Sequence, residues 1–200
     1  GWRLGAFAFP ESLAWLHRTM AAVASETYTT VSAPIQYAAI AGFDASAEMD
    51  DYLARARRVL KPLAWHAYYR LVAAGARVVE PEGGFYLMAN FDSQRDALAR
   101  RGIRNGTAFC EALLEQTGVA ALPGVQFGRP ASELSLRVAL VDFDGEAAQA
   151  AADGDAVIDE TFLRARCGHV MEAVDRIADW VGAAGVRAGV QAGGRRAQSM

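Results

Sequence analysis

The apolar residues of the chain change from helical spacing near the start to strand-like alternation in the second half. Leu13, Leu16, Met20 and Val23 follow Pro10 at helical spacing, and a proline suits the first turn of a helix. The pattern predicts, in chain order, a strand-like run at 1–9, a helix after Pro10, a short helix at 33–41, a long helix from a cap at Asp44 or Ser46 to about Ala74, strands at 77–80 and 85–91, a helix at 105–116, strands at 119–122 and 134–141, and a last helix from Asp159 to about Ala184.

The strand at 134–141 carries one arginine between apolar residues. Arg137 lies on the face that also holds the small residues Ser135 and Ala139. Burying a guanidinium costs free energy unless an anion binds to it. Two interpretations follow: Arg137 binds the carboxylate of a ligand through two parallel hydrogen bonds, or it forms a structural salt bridge within the chain. The strand alone leaves both open. The opposite, apolar face of this strand holds Leu136, Val138 and Leu140.

Breaks in the pattern indicate how the chain is organised. The long helix contains Pro62, which predicts a kink or a division into two helices, and Gly75 ends it. A domain boundary is expected near 41–47, before that helix. Strands alternate with helices after it, which is typical of an α/β sandwich. Residues 185–200 contain four glycines and few large apolar side chains, which predicts a flexible tail.

Composition narrows the function classes. The 200 residues are 52% hydrophobic with a net charge of -3, which suits a globular protein and gives no nucleic-acid footprint. No apolar run is long enough to span a bilayer. Cys110 and Cys167 lie far apart, as expected for thiols of a reducing, cytoplasmic compartment. The histidines form no cluster, so no metal site is assigned. Lys61 is the one lysine, against nineteen arginines.

Four segments in this order resemble the C-terminal half of a class I/II aminotransferase, a pyridoxal-phosphate-dependent enzyme of fold type I. The resemblance covers the chain to about Val181. The segments are Gly1-Trp2-Arg3-Leu4-Gly5, Val31-Ser32-Ala33-Pro34-Ile35-Gln36, Glu82-Gly83-Gly84-Phe85-Tyr86-Leu87, and Leu122-Pro123-Gly124 through Phe127-Gly128 to Leu136-Arg137-Val138.

The resemblance implies a role for two arginines and a division of the chain. Arg3 matches the arginine that holds the cofactor phosphate, and Arg137 matches the arginine that binds the substrate α-carboxylate. The substrates would be an amino acid and a 2-oxo acid, and the parent protein would be a homodimer that binds neither nucleic acid nor membrane. Residues 1–41 would end the large cofactor-binding domain, 42–185 would form the small α/β domain, and 186–200 would be the tail.

The resemblance also points to what the sequence lacks. In the family, a lysine shortly before the Gly-Trp-Arg motif forms the Schiff base with pyridoxal phosphate, and Lys61 matches no cofactor position. We therefore expect the chain to be an N-terminally truncated piece that does not transaminate alone. Three alternatives stay open: a related fold-type I lyase or decarboxylase, a non-catalytic aminotransferase-like sensor domain of a transcription regulator, and a small interaction module.

Overall fold

The computed structural model describes residues 3–28 and 30–196, with side chains of the last helix described through residue 183. The chain divides into two compact units, Gly1–Leu53 and Ala54–Met200. The division falls inside the long helix, further along the chain than the boundary predicted near 41–47.

The first unit holds two helices and the start of a third. Helix α1 spans Ala14–Thr27 after a 3₁₀ turn at Glu11–Leu13, and α2 spans Ala33–Gly42. Both helices match the prediction, but neither contains a buried residue. The strand-like run predicted at 1–9 is wrong for its described part, because residues 3–10 have no regular structure and a strand requires a hydrogen-bonded neighbour.

Helix α3, Ala47–Ala73, runs without interruption through Pro62. Of the two outcomes predicted for Pro62, a kink or a division into two helices, the division does not occur. Proline costs a helix interior one hydrogen bond and a steric clash. Here the residues around it are buried on one face, including Val59, Leu63 and Leu71, and that burial offsets the cost.

The second unit is built on a four-stranded antiparallel sheet. Its strands are β1, Arg77–Val78; β2, Tyr86–Asn90; β3, Leu122–Pro123; and β4, Ser135–Ala139. Their order in the sheet is β1-β2-β4-β3. In the central pair, Leu87 lies opposite Val138 and Met88 lies opposite Arg137. This register determines which side chains of β2 and β4 share a face of the sheet.

Five further helices accompany the sheet. Helix α5 spans Gly106–Thr117. The side chain of Asn105, just before it, accepts a hydrogen bond from the backbone N–H of Ala108, and Gly118, just after it, has the left-handed conformation with φ of 75°. The sequence pattern did not predict helix α4, Arg95–Ala99, which is too short to show a periodicity. The helices are α4, Arg95–Ala99; α5, Gly106–Thr117; α6, Gly145–Ala151; α7, Glu160–Arg166; and α8, Gly168–Arg196.

The predicted last helix differs from the structure at two places. It is divided at Cys167, whose φ of -123° and ψ of 28° leave the helical region, and Gly168 then starts α8. Helix α8 continues to Arg196, so the predicted end near Ala184 is wrong and residues 186–196 of the predicted tail are helical. Residues 197–200 lie outside the described part.

The core lies between one face of the sheet and the helices. Its strand residues are those that the alternation of β4 predicts, with Leu136 and Val138 facing inward. Both cysteines are free and buried, and burial raises the pKa of each thiol to about 11. Among the described residues, no helix combines the length and hydropathy needed to cross a membrane. The largest fully buried side chains are Phe91, Phe109, Leu63, Leu71, Leu98, Leu113, Leu134, Leu136, Leu140, Met171, Ile177 and Val59.

Candidate functional site

The face of the sheet opposite the core carries the arginine that the sequence singles out. Arg137 is half-buried in the middle of β4, while its neighbours Leu136 and Val138 are buried in the core. Met88 lies directly opposite Arg137 on β2, and Tyr86 lies opposite Ala139, two residues further along β4. Side chains two positions apart on a strand share a face, so Tyr86 and Arg137 are diagonal neighbours.

Two aromatic rings enclose the guanidinium of Arg137. Its Cζ atom lies 4.1 Å from the centre of the Tyr86 ring and 4.3 Å from the centre of the Phe127 ring. Both distances are within the range of cation–π contacts. Tyr86 comes from β2, and Phe127 comes from the 3₁₀ segment Gly124–Phe127 that precedes β4. The two rings therefore come from two separate segments that both precede Arg137 in the sequence.

Arg137 has no carboxylate partner within the described part of the chain. None of the ion pairs there involves it, and its Nε atom is buried without a hydrogen-bond partner. An unsatisfied buried donor costs about 1–3 kcal/mol. Among the residues that the structure describes, the internal salt bridge that the strand alone left open is not formed, and the cation retains its capacity to bind an anion.

The buried carboxylate of the residue four positions before Arg137 is bound to other groups. Glu133 is 9% exposed and receives a hydrogen bond of 2.7 Å from Asn90 Nδ2. Arg129 donates to both carboxylate oxygens, with distances of 3.0 Å from Nε to Oε2 and 3.1 Å from Nη2 to Oε1. Burial would raise the pKa of the Glu133 carboxyl, but the hydrogen bonds from Asn90 and Arg129 outweigh it and hold that pKa below its usual range.

A tight turn positions the Phe127 ring. A Cβ atom at Gly124 would lie 2.1 Å from Ser135 Oγ and 3.1 Å from Ser135 Cβ, so only glycine fits there without a shift. The 3₁₀ segment ends at Gly128, which adopts the left-handed conformation with φ of 76°. The two glycines at either end of this segment hold it against β4.

A cavity of about 700 Å³ opens beside Arg137. Its wall includes the side of α8 that carries His169, Glu172 and Arg176, and the segment that leads into β3. Arg176 forms an ion pair with Glu172 at 2.6 Å and donates to the carbonyl oxygen of Thr117, so its guanidinium already has an anionic partner within the chain. Of the two arginines in the wall, Arg137 is the one without an ion pair among the described residues.

Arg3, the residue predicted to bind the cofactor phosphate, belongs to the first unit and Arg137 to the second. Arg3 is exposed, forms no hydrogen bond or ion pair within the described residues, and has a φ of 60°, which is uncommon for a residue other than glycine. Its free guanidinium fits a phosphate dianion chemically. Gly1 and Trp2 of the same motif lie outside the described residues.

The positions of Lys61 and of the metal-binding side chain types complete the description of the site. Lys61 is exposed on α3, away from both candidate arginines in the sequence. No group of three metal-binding side chains occurs among the residues described. The sequence pattern did not predict the contacts of Tyr86 and Phe127 with Arg137. The signal for those contacts is the strand register, which the sequence alone does not supply.

Comparisons with known proteins agree on one family. The family model for class I and II aminotransferases matches residues 1–153. Aspartate aminotransferase of Geobacillus stearothermophilus is 34% identical over 131 residues, which is 65% of this chain and 31% of that protein. The asparagine–oxo-acid transaminase of Streptococcus mutans is 33% identical, with 65% of this chain and 31% of that protein covered. The chain thus spans about a third of the length of these relatives.

A solved structure supports the same fold. The aromatic aminotransferase of Pyrococcus horikoshii superposes with a TM-score of 0.53 at 21% identity, over 84% of this chain and 36% of that one. The predicted fold class, the α/β fold of type I aminotransferases, is confirmed by this likeness and by the mixed α/β architecture with its small antiparallel sheet.

Proposed function

The chain belongs to the class I and II aminotransferase family, and from this premise we propose that it supplies the substrate-carboxylate site of a pyridoxal-phosphate-dependent transaminase. The parent protein would move an amino group between an amino acid and a 2-oxo acid. In this proposal residues 1–41 end the large cofactor-binding domain and residues 42–185 form the small domain.

One observation carries the proposal: Arg137 is a fixed cation on the sheet face that has no carboxylate partner in the described chain. A planar guanidinium binds a carboxylate through two parallel hydrogen bonds, which sets both position and orientation. Orientation matters to the reaction because the bond that breaks at the substrate Cα has to stand perpendicular to the cofactor ring. We assign Arg137 to this orienting role.

The chemistry of Arg3 fits the phosphate group of pyridoxal phosphate. The cofactor, when bound, accepts the electron pair of the bond that breaks at the substrate Cα. Arg3 would hold the phosphate through its free guanidinium. Since Lys61 is the one lysine of the sequence and lies on α3, the chain has no lysine in the family position for proton transfer. We therefore propose that the 200 residues alone do not transaminate.

The names of the relatives suggest which substrates to test. Proteins of similar sequence are named for aspartate and for asparagine, so aspartate with 2-oxoglutarate is the first pair to assay. We also propose a cytoplasmic homodimer as the working form, on the resemblance to the family.

The test is to obtain the complete coding sequence that contains these residues, express the product and assay it with amino-acid donors and 2-oxo acids. Arg137→Lys keeps the charge but loses the planar fork, and we expect kcat/KM for the amino donor to fall at least about tenfold. The control is Arg57→Lys, an exposed arginine of α3 outside the site, which should leave activity unchanged.

The products separate the proposal from its alternatives. A transaminase forms the 2-oxo acid of the donor without releasing carbon dioxide or ammonia. Release of carbon dioxide or ammonia instead would identify a decarboxylase or a lyase of the same fold. Binding of pyridoxal phosphate without turnover of any donor would support a sensor domain and overturn the transaminase assignment. Turnover by the 200 residues alone would contradict the assignment of the missing lysine.

A further inference from the structure

We propose that Tyr86 and Phe127 are positioning residues that hold the Arg137 guanidinium plane between their rings, so that its terminal amino groups face the ligand carboxylate. The inference rests on the proposed function, because it presumes that Arg137 binds a carboxylate. It adds two residues to the site and assigns them a physical task.

The contact geometry supports a sandwich. Arg137 Cζ lies over both rings, 4.1 Å and 4.3 Å from their centres, and the proposed sandwich places one ring on each flat face of the guanidinium. Hydrogen bonds of a guanidinium lie in its plane, so stacked rings occupy the faces and leave the N–H edge free. Nε is buried, which leaves the terminal amino groups at the half-buried tip as the donors for a ligand.

In this proposal the two rings, rather than an acidic partner, hold the Arg137 side chain in one conformation. A buried arginine is usually held by an acidic partner, and such a partner would compete with a ligand carboxylate. An aromatic face stabilises the cation without occupying its hydrogen-bond donors. Rings that fix the side chain before binding also remove the entropy cost of ordering it when the ligand arrives.

Each ring is fixed by a separate feature of the fold. The antiparallel register places Tyr86 opposite Ala139, one diagonal step from Arg137. Phe127 is placed by the 3₁₀ segment whose first residue, Gly124, has no room for a Cβ atom against Ser135. The tyrosine is 47% exposed and the phenylalanine 40%, so neither ring is there chiefly to fill the core.

The test uses the 200-residue chain and nuclear magnetic resonance of its arginine side chains. The Nε–Hε signal of Arg137 is assigned by its loss in Arg137→Lys. Stacked rings shift the signal of a proton that lies between them, so this signal should lie upfield of other arginine Nε–Hε signals in the unmodified chain. Acetate is the carboxylate probe, titrated against chloride at equal ionic strength, and the Arg137 signal should respond saturably to acetate alone.

Variants then separate the rings from the cation. Tyr86→Leu with Phe127→Leu should abolish the upfield shift and weaken acetate binding about three- to tenfold. Tyr86→Phe keeps the ring and should keep both the shift and the affinity. Tyr37→Leu, a change at an exposed tyrosine of α2, is the matched control and should alter neither.

Each outcome contradicts either the ring sandwich around Arg137 or the binding of a carboxylate by Arg137. An unmodified chain whose Arg137 signal lacks the upfield shift overturns the sandwich directly, and Arg137→Lys is needed only to assign that signal. A double leucine variant that keeps both the shift and the affinity also overturns it. A shifted signal that does not respond to acetate instead overturns Arg137 as a carboxylate site, and with it the proposed function.

Discussion

Replacing Gly124 with alanine is expected to destabilise the second unit through one identified contact. The new Cβ atom would lie 2.1 Å from Ser135 Oγ and 3.1 Å from both Ser135 Cβ and Arg129 Cγ. Rotation of Ser135 can move the hydroxyl away, but the two carbon contacts remain tighter than usual. Insertion of one carbon into a packed site costs about 1–3 kcal/mol. We expect Gly124→Ala to lower the free energy of unfolding by that amount.

Urea unfolding followed by circular dichroism measures this loss. With a denaturant slope of about 2 kcal/mol per molar urea, the midpoint should fall by roughly 0.5–1.5 M. Gly83→Ala is the matched control, because a Cβ atom at Gly83 meets nothing within 4 Å and its φ is not in the left-handed region. That control should change stability little or raise it slightly, since alanine restricts the unfolded chain.

A double variant tests the cause. Ser135→Ala removes the Oγ atom at 2.1 Å and should restore part of the stability that Gly124→Ala loses, although the 3.1 Å contact with Ser135 Cβ remains. The measured coupling between the two changes should therefore be favourable. Equal unfolding midpoints for Gly124→Ala, Gly83→Ala and the unmodified chain would refute the close approach of the turn to β4.

Two further predictions concern the ends of the sheet and of α5. Asn105→Ala removes the acceptor for the Ala108 N–H and should cost about 0.5–2 kcal/mol in urea unfolding, whereas Asn105→Asp should keep most of the stability; equal losses would contradict the cap. The pKa of Glu133 is held below its unfolded value by Asn90 and Arg129, so this stability is present above the unfolded pKa and lost as pH falls through the folded pKa. Glu133→Gln should therefore flatten the acid side of the stability profile, and an unchanged slope below about pH 5 would argue against it.

The sequence predicts the parts of this molecule that depend on local spacing. Alternation in 134–141 identifies the inward face of β4, and the helical spacing after Pro10 identifies α1. It fails where a local rule is outweighed by packing, as at Pro62 inside α3. It also fails at Cys167, where the backbone leaves the helical region for a single residue without a proline to signal it.

The site shows the same limit. Arg137 stands out in the sequence because a charge interrupts an apolar strand. The rings beside it do not stand out, because Tyr86 and Phe127 are distant in sequence and meet Arg137 only through the register of β2 with β4 and the turn at Gly124. Whether the arginine is paired internally also depends on these long-range contacts, which is why the strand alone left two interpretations open.

The helices α1 and α2 contain 14 and 10 residues and bury none of them. Isolated helices of this length are marginal in water, since helix formation has a costly nucleus and most helical stability in proteins comes from packing. Backbone amides of these helices should therefore exchange with deuterium long before those of β2, β4 and α5. A protease added under native conditions should cut among the first 53 residues and leave the part that carries Arg137 intact.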